Sequence, residues 1–117
     1  MPGPLEGLKV FEIANRIAAP AACAILADMG AEVVKFEHPE TGDPVRSIDV
    51  SSRGVVQYSS GINSAFELLN RGKESVAVNL ENPRGQEVVQ KMAAGSDVVV
   101  TNLTPISRSA IACVTRI

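Results

Sequence analysis

Aromatic residues are scarce in this chain. Three Phe, one Tyr and no Trp make up 3% of its 117 residues. A core without large rings has to be filled by Ala, Val, Ile and Leu, which suits helices lying closely on a parallel sheet. Cysteine is nearly absent as well: Cys23 and Cys113 have neither metal-site spacing nor the density of a disulfide scaffold. No apolar run reaches the ~18 residues of a membrane span, and no basic segment leads into a hydrophobic signal sequence. Nor is there an excess of positive charge: a net charge of −2 and a pI near 5.4 give no electrostatic reason to expect nucleic acid. These absences describe a soluble cytoplasmic α/β protein with reduced thiols and no membrane or nucleic-acid partner.

What is present is ample apolar content, 45%, in a length that holds one domain. Residues 4–44 organise the rest. Leu8, Val10, Phe11 and Ile13 form a short run fit for a buried strand. Pro20 suits the first turn of a helix, residues 21–29 continue it, and Gly30 is placed to end it. A second β-rich run covers residues 31–36. Two strands joined by about a dozen helical residues predict a right-handed βαβ crossover. Residues 75–80 alternate as a third strand. Asn82 then fits an N-cap, Pro83 the first helical position and Gly95 the stop, with Val88, Val89, Met92 and Ala93 at helical spacing. Residues 97–101 are a continuous apolar run, as in a strand covered on both faces. The order β-α-β, long loop, β-α-β predicts a Rossmann-like, open, mostly parallel sheet.

Two regions break the pattern. Residues 38–62 lose all periodicity, and a connection that long is usually functional or mobile; only residues 63–69 within the crossover suggest a short helical turn, with Phe66 and Leu69 on one side. After Pro105, Ile106, Ala110, Cys113, Val114 and Ile117 fall on one helical face and no polar tail follows. Four strands leave sheet edges uncovered. The sequence thus reads as an incomplete fold: residues 1–105 as a Rossmann-like portion, residues 106–117 as an atypical or truncated segment of a larger protein.

In such sheets ligands bind beyond the carboxyl ends of the strands, where residues 14–20, 37–46 and 101–105 should converge. A dinucleotide fingerprint needs glycines at the first strand-to-helix turn. Here that turn is Ala14-Asn15-Arg16-Ile17-Ala18-Ala19-Pro20, so a conventional NAD site is disfavoured. The phosphate-loop pattern is absent too, since Arg71-Gly72-Lys73 lacks the rest of it.

Four blocks in register, PLEGLKVFEIA, AAPAACAILADMGAEVVKFEHPETGDPVR, LLNRGKESVAVNLENPRGQEVV and SDVVVTNLTP, resemble the start of the family III CoA-transferases. That group includes formyl-CoA and carnitine-CoA transferases, with α-methylacyl-CoA racemase as a relative. The long stretch between Asp43 and Asn70 is more similar to the transferases than to the racemases. The resemblance implies an enzyme that moves CoA between an acyl-CoA thioester and a carboxylic acid through an aspartyl nucleophile, with CoA as a substrate moiety and no required cofactor. Such covalent catalysis divides one difficult exchange into easier steps. None of Asp28, Asp43, Asp49 or Asp97 aligns with that nucleophile, so this chain alone is expected to be inactive.

The resemblance also implies CoA contacts at Asn15 and Arg16 after the first strand, His38 after the second, Lys73 and Val78 around the third, and Asn102 and Leu103 after the fourth. His38 stands where the family often has arginine, and Glu81 where it often has lysine. Family members form homodimers. Plainer roles stay open beside these: a solvated loop residue for His38, a cap or ion pair for Arg16, surface charge for Arg71 and Lys73, a strand-end hydrogen bond for Asn102, and a small core residue for Cys23. Arg46 and Tyr58, in the loop, could reach substrate. A non-catalytic nucleotide-binding or subunit-assembly module, and an acyl-CoA racemase fragment, are the alternatives.

Overall fold

The computed structural model describes residues 2–47 and 61–104. Strand β1 (Lys9–Ile13) leads into helix α1 (Ala18–Asp28), strand β2 (Glu32–Glu37) and a 3-10 turn (Pro44–Ser47). Helix α2 (Ser64–Asn70), strand β3 (Glu74–Ala77), helix α3 (Pro83–Ala94) and strand β4 (Val98–Thr101) follow. The strands form one sheet in the order β3-β2-β1-β4, with every pairing parallel. From β1 the chain steps outward through β2 to β3, then returns past both to place β4 on the other side of β1. Right-handed crossovers in opposite directions put their helices on opposite faces, and the reversal opens a crevice between the carboxyl ends of β1 and β4.

The two faces are built differently. Phe11 and Ile13 meet Val89 and Ala93 of α3, flanked by Val34, Phe36, Val76, Val99 and Met92 in an all-apolar layer. On the α1 face, Val10, Val33 and Cys23 form a smaller apolar cluster near the amino ends of the strands. Further along that same face the side chains are charged: Glu12 follows Val10, and Lys35 and Glu37 follow Val33, all of them buried. Alternation along each strand keeps these residues off the α3 face.

Local signals set the boundaries. Asn63 and Asn82 cap α2 and α3 by accepting from Phe66 N and Arg84 N. Gly30 takes φ +101°, a left-handed conformation that ends α1 and turns the chain into β2. Three expectations shift. Helix α1 begins at Ala18, so Pro20 is its third residue, still among the first four whose N–H groups have no helical partner. Strand β3 ends at Ala77, although Val78 N still donates to Glu37 O at 3.1 Å. Strand β4 lies at the sheet edge, so its apolar run is half-covered and Val98 stays 39% exposed. The expected atypical segment, residues 106–117, lies outside the described residues, as do Asp49 and Tyr58 of the long loop.

Gly85 sits in the first turns of α3 with its Cα against the Asn79 carbonyl; a Cβ there would collide with that oxygen. In an exposed helix Gly→Ala gains about 1 kcal/mol. Here Gly85→Ala is expected to lower the thermal midpoint, at a cost of about 1–3 kcal/mol for overpacking. An unchanged or raised midpoint would contradict this contact.

Candidate functional site

The carboxyl end of β1 is fixed by side chains from three other parts of the chain. Lys35 Nζ, from β2, donates to the Ala14 carbonyl at 3.1 Å. Asn102, just past β4, brackets Asn15: its Oδ1 accepts from Asn15 N at 3.0 Å and its Nδ2 donates to Asn15 O at 2.6 Å. Asp43, in the turn after β2, accepts from Arg16 N through Oδ1 at 3.1 Å. Arg16 has φ +69°, the one non-glycine residue with positive φ among the described residues. A left-handed arginine costs about 1–3 kcal/mol and persists only where its surroundings impose it. Helix α1 then starts from Ile17 with no side-chain cap.

Behind this loop lies a buried charge network. Lys35 Nζ is 2.7 Å from Glu12 Oε1 and 2.9 Å from Asp43 Oδ2, with all three side chains at most 1% exposed. Lys73 Nζ, 2% exposed, is 2.6 Å from Glu12 Oε2 and donates to the Pro20 carbonyl at 2.8 Å and Asn70 Oδ1 at 3.1 Å. Glu12 Oε2 and Asp43 Oδ2 are thus each held by an ammonium group. Two carboxylates face two ammoniums, which leaves the cluster neutral. Deleting one member would strand a buried charge, at about 3–5 kcal/mol. Burial lowers the Lys73 pKa from its ordinary value, against the opposing pull of Glu12. Cys23, beside the network, is pushed up to about 12, by burial first and Glu12 second. Its side chain is buried in the α1-face cluster, the small core residue expected.

At the end of β2, Glu37 accepts from Arg46 Nε and Nη2, both at 2.8 Å, and from Ser75 Oγ at 3.1 Å. Its Oε2 also accepts from Asp43 N at 3.0 Å. The Arg46 guanidinium lies 3.7 Å from the Phe66 ring centroid, a cation–π contact that ties α2 to this turn. His38 folds back on its own turn, with Nδ1 accepting from Glu40 N at 3.2 Å and Thr41 N at 3.4 Å. A neutral His38 therefore carries its proton on Nε2. A cavity of about 340 Å³ opens here, lined by His38, Thr41, Gly42, Arg46, Ser75 and Ala77 among others.

With this geometry in place, comparison with known proteins identifies the lineage. The sequence pattern of CoA-transferase family III matches residues 5–113. This chain belongs to that family. Among curated relatives, the succinyl-CoA:glutarate CoA-transferase of Mus musculus is 38% identical over 102 residues, 87% of this chain and 22% of the relative. The cinnamoyl-CoA:phenyllactate CoA-transferase of Clostridium sporogenes is 40% identical over 97 residues, 83% of this chain and 23% of the relative. A CaiB/BaiF family protein from Brucella suis superposes on 95% of this chain with a TM-score of 0.79 at 34% identity, and 29% of that protein is covered. The chain thus spans about a quarter of the length of the proteins it matches.

Placed on this family III fold, the residues expected at the CoA site are only partly brought together. Asn15, Arg16, Asn102 and Leu103 meet at the β1/β4 crevice, with Arg16 and Asn102 exposed and Leu103 packed partly against the core. His38 lines the cavity at the end of β2. Val78 packs partly on the α3 layer, and Glu81 is exposed with its backbone N donating to Asn79 Oδ1 at 2.8 Å. Lys73 lies apart, at the amino end of β3, with its ammonium engaged inside the fold. Its neighbour Arg71 pairs with Asp28 of α1 at 2.5 Å. Sequence reasoning missed Glu12, Lys35 and the buried role of Asp43. The available signal was a charged residue set between apolar ones within each strand, Glu12 between Phe11 and Ile13 and Lys35 between Val34 and Phe36.

Arg46 and the other donors hold the Glu37 pKa at about 2, against an ordinary 4.5. A depressed carboxylate contributes stability above its unfolded pKa and loses it as pH falls through the folded one. The contribution is roughly 2 kcal/mol, after a discount for the solvent exposure of Arg46. Glu37→Gln is expected to be less stable than the parent chain at pH 7, with the gap narrowing between pH 4.5 and pH 2. Thermal melts that keep a constant gap across that window would refute the assignment.

Proposed function

We propose that this chain supplies the CoA-binding part of an enzyme that transfers CoA between an acyl-CoA thioester and a carboxylic acid. The observation that carries this reading is the family match together with the names of the two curated relatives compared above, both CoA-transferases. In the reaction the donor's carbon–sulfur bond breaks and its acyl carbon takes an oxygen from the acceptor carboxylate, releasing the donor acid, while the acceptor's acyl carbon gives up that oxygen and bonds to the CoA sulfur. The aspartyl nucleophile is not among the residues of this chain, so the chain by itself turns nothing over. The full-length enzyme is a homodimer in this reading, and cytoplasmic. Among the described residues no helix is long and apolar enough to cross a membrane.

The local chemistry supports CoA at the β1/β4 crevice. CoA carries a pyrophosphate and a 3′-phosphate, which call for N–H donors and cations. Arg16 is exposed there, and α1 presents an N-terminus without a side-chain cap or an acidic residue in its first turn. Asn102 holds the adjoining backbone, and His38 borders the cavity at the end of β2. Lys73 contributes from inside, by pairing with Glu12 under α1.

Calorimetric titration of the folded chain with CoA tests the reading. Binding is expected, and Arg16→Ala should weaken it about tenfold, the size of one lost charge-assisted contact. Asn102→Ala should weaken it as well, by releasing Asn15. A folded chain that takes up no CoA would overturn the proposal, and measurable CoA transfer by the isolated chain would overturn the placement of the nucleophile outside it.

A further inference from the structure

We propose that Asp43 is a positioning residue for the CoA site, holding the left-handed backbone of Arg16 and so the course of residues 15–17. This rests on the functional reading above. The geometry is specific. The Asp43 side chain is fully buried, and its Oδ1 accepts from Arg16 N at 3.1 Å and from Val45 N at 3.0 Å. Its other oxygen faces Lys35 Nζ at 2.9 Å, and the same ammonium donates to Ala14 O at 3.1 Å. One buried ion pair therefore grips the loop on both sides of Asn15. Asp43 is itself located by its own backbone N, which donates to Glu37 Oε2 at 3.0 Å.

The need for a grip comes from the residue type. A left-handed backbone is free for glycine and unfavourable for arginine. Without the acceptor at Asp43, Arg16 N would be left unsatisfied and its φ would relax toward negative values. The exposed Arg16 side chain would then leave the crevice. Asp43 touches neither CoA nor the reacting atoms in this arrangement; it acts through Arg16.

A double-mutant cycle separates this role from a general structural one. Asp43→Ala is expected to weaken CoA binding tenfold or more, while Asp43→Asn, which keeps an oxygen for the amide, retains most of the affinity. In an Arg16→Gly background, where the left-handed backbone needs no support, Asp43→Ala should change affinity less than threefold. An equal loss in both backgrounds, or no loss in either, overturns the proposal. If Asp43→Ala does not fold by circular dichroism, Lys35→Met/Asp43→Ala is compared with Lys35→Met/Asp43→Asn in both backgrounds, since both lack the Lys35–Asp43 charges and the Ala14 contact and differ only in the acceptor for Arg16 N. If the folded parent chain binds no CoA, the functional reading fails and the clamp is judged on the residue 16 amide resonance alone. A displacement in Asp43→Ala clearly larger than in Asp43→Asn then bears the clamp out, and an unmoved resonance in Asp43→Ala, or an equal displacement in both, overturns it.

Discussion

The Lys35 ammonium, enclosed between Glu12, Asp43 and the Ala14 carbonyl, is the contact on which the rest of the α1 face depends. Buried ion pairs are weak evidence for stability, because desolvation cancels much of the Coulomb attraction. Their better-supported use is to select one arrangement over its neighbours, and that use fits here. Glu12 and Lys35 are register partners in the β1/β2 pairing. A slip of one residue would turn Lys35 toward Phe11, Ile13 and α3, where no carboxylate waits among the packed residues. The charge pair thereby specifies the register that the apolar alternation alone leaves degenerate.

A division of labour between the two sheet faces follows. The α3 face is an apolar layer whose packing supplies cohesion, with Phe11, Ile13 and Val89 each essentially inaccessible to solvent. The α1 face trades some of that cohesion for location. Its charged residues reach from the strands to the loop after β1, the turn after β2 and the approach to β3, and each contact fixes one of these relative to the others. Glu37 extends the same logic outward: it joins Arg46, Ser75 and the Asp43 backbone, and Arg46 in turn rests on Phe66 of α2.

Much of the fold was legible because its boundaries rest on local chemistry. Asn82, Pro83 and Gly95 mark α3 through their own backbone preferences, and Gly30 ends α1 for the same reason. The crevice was legible too, since strand order alone brings residues 14–17 beside residues 101–103. Glu12 and Lys35 were not. Both faces of the inner strands are covered, so a charged residue there can be placed inside only by knowing which partner meets it across the sheet. That partner is more than 20 residues away, since Glu12 and Lys35 are separated by |i−j| = 23. Asp43 was hidden differently: Gly42-Asp43-Pro44 reads as a turn, and its burial follows from the contacts of its side chain with Lys35 and Arg16 and of its backbone with Glu37, which the turn pattern does not reveal. Lys73 shows the converse case. A family motif pointed to a ligand, while the structure places its ammonium against Glu12 and Pro20.

The loop after β1 brings these strands of argument together. Dinucleotide-binding folds commonly meet the demand for close backbone approach with glycines, whose permissive φ makes the turn locally self-sufficient. This chain has none between Ala14 and Pro20, and places an arginine at the left-handed position. The conformation is therefore imposed from outside, by Lys35 of β2, Asp43 of the following turn and Asn102 beyond β4. Lys35 and Asp43 arrive only once β1 has paired with β2, and Asn102 only once β1 has paired with β4. The geometry of the site is consequently coupled to assembly of the sheet, whereas a glycine-rich loop could keep its shape through local openings of the neighbouring strands. In exchange, an arginine side chain stands where glycine would offer only backbone, at the mouth of a crevice proposed to receive a polyanion.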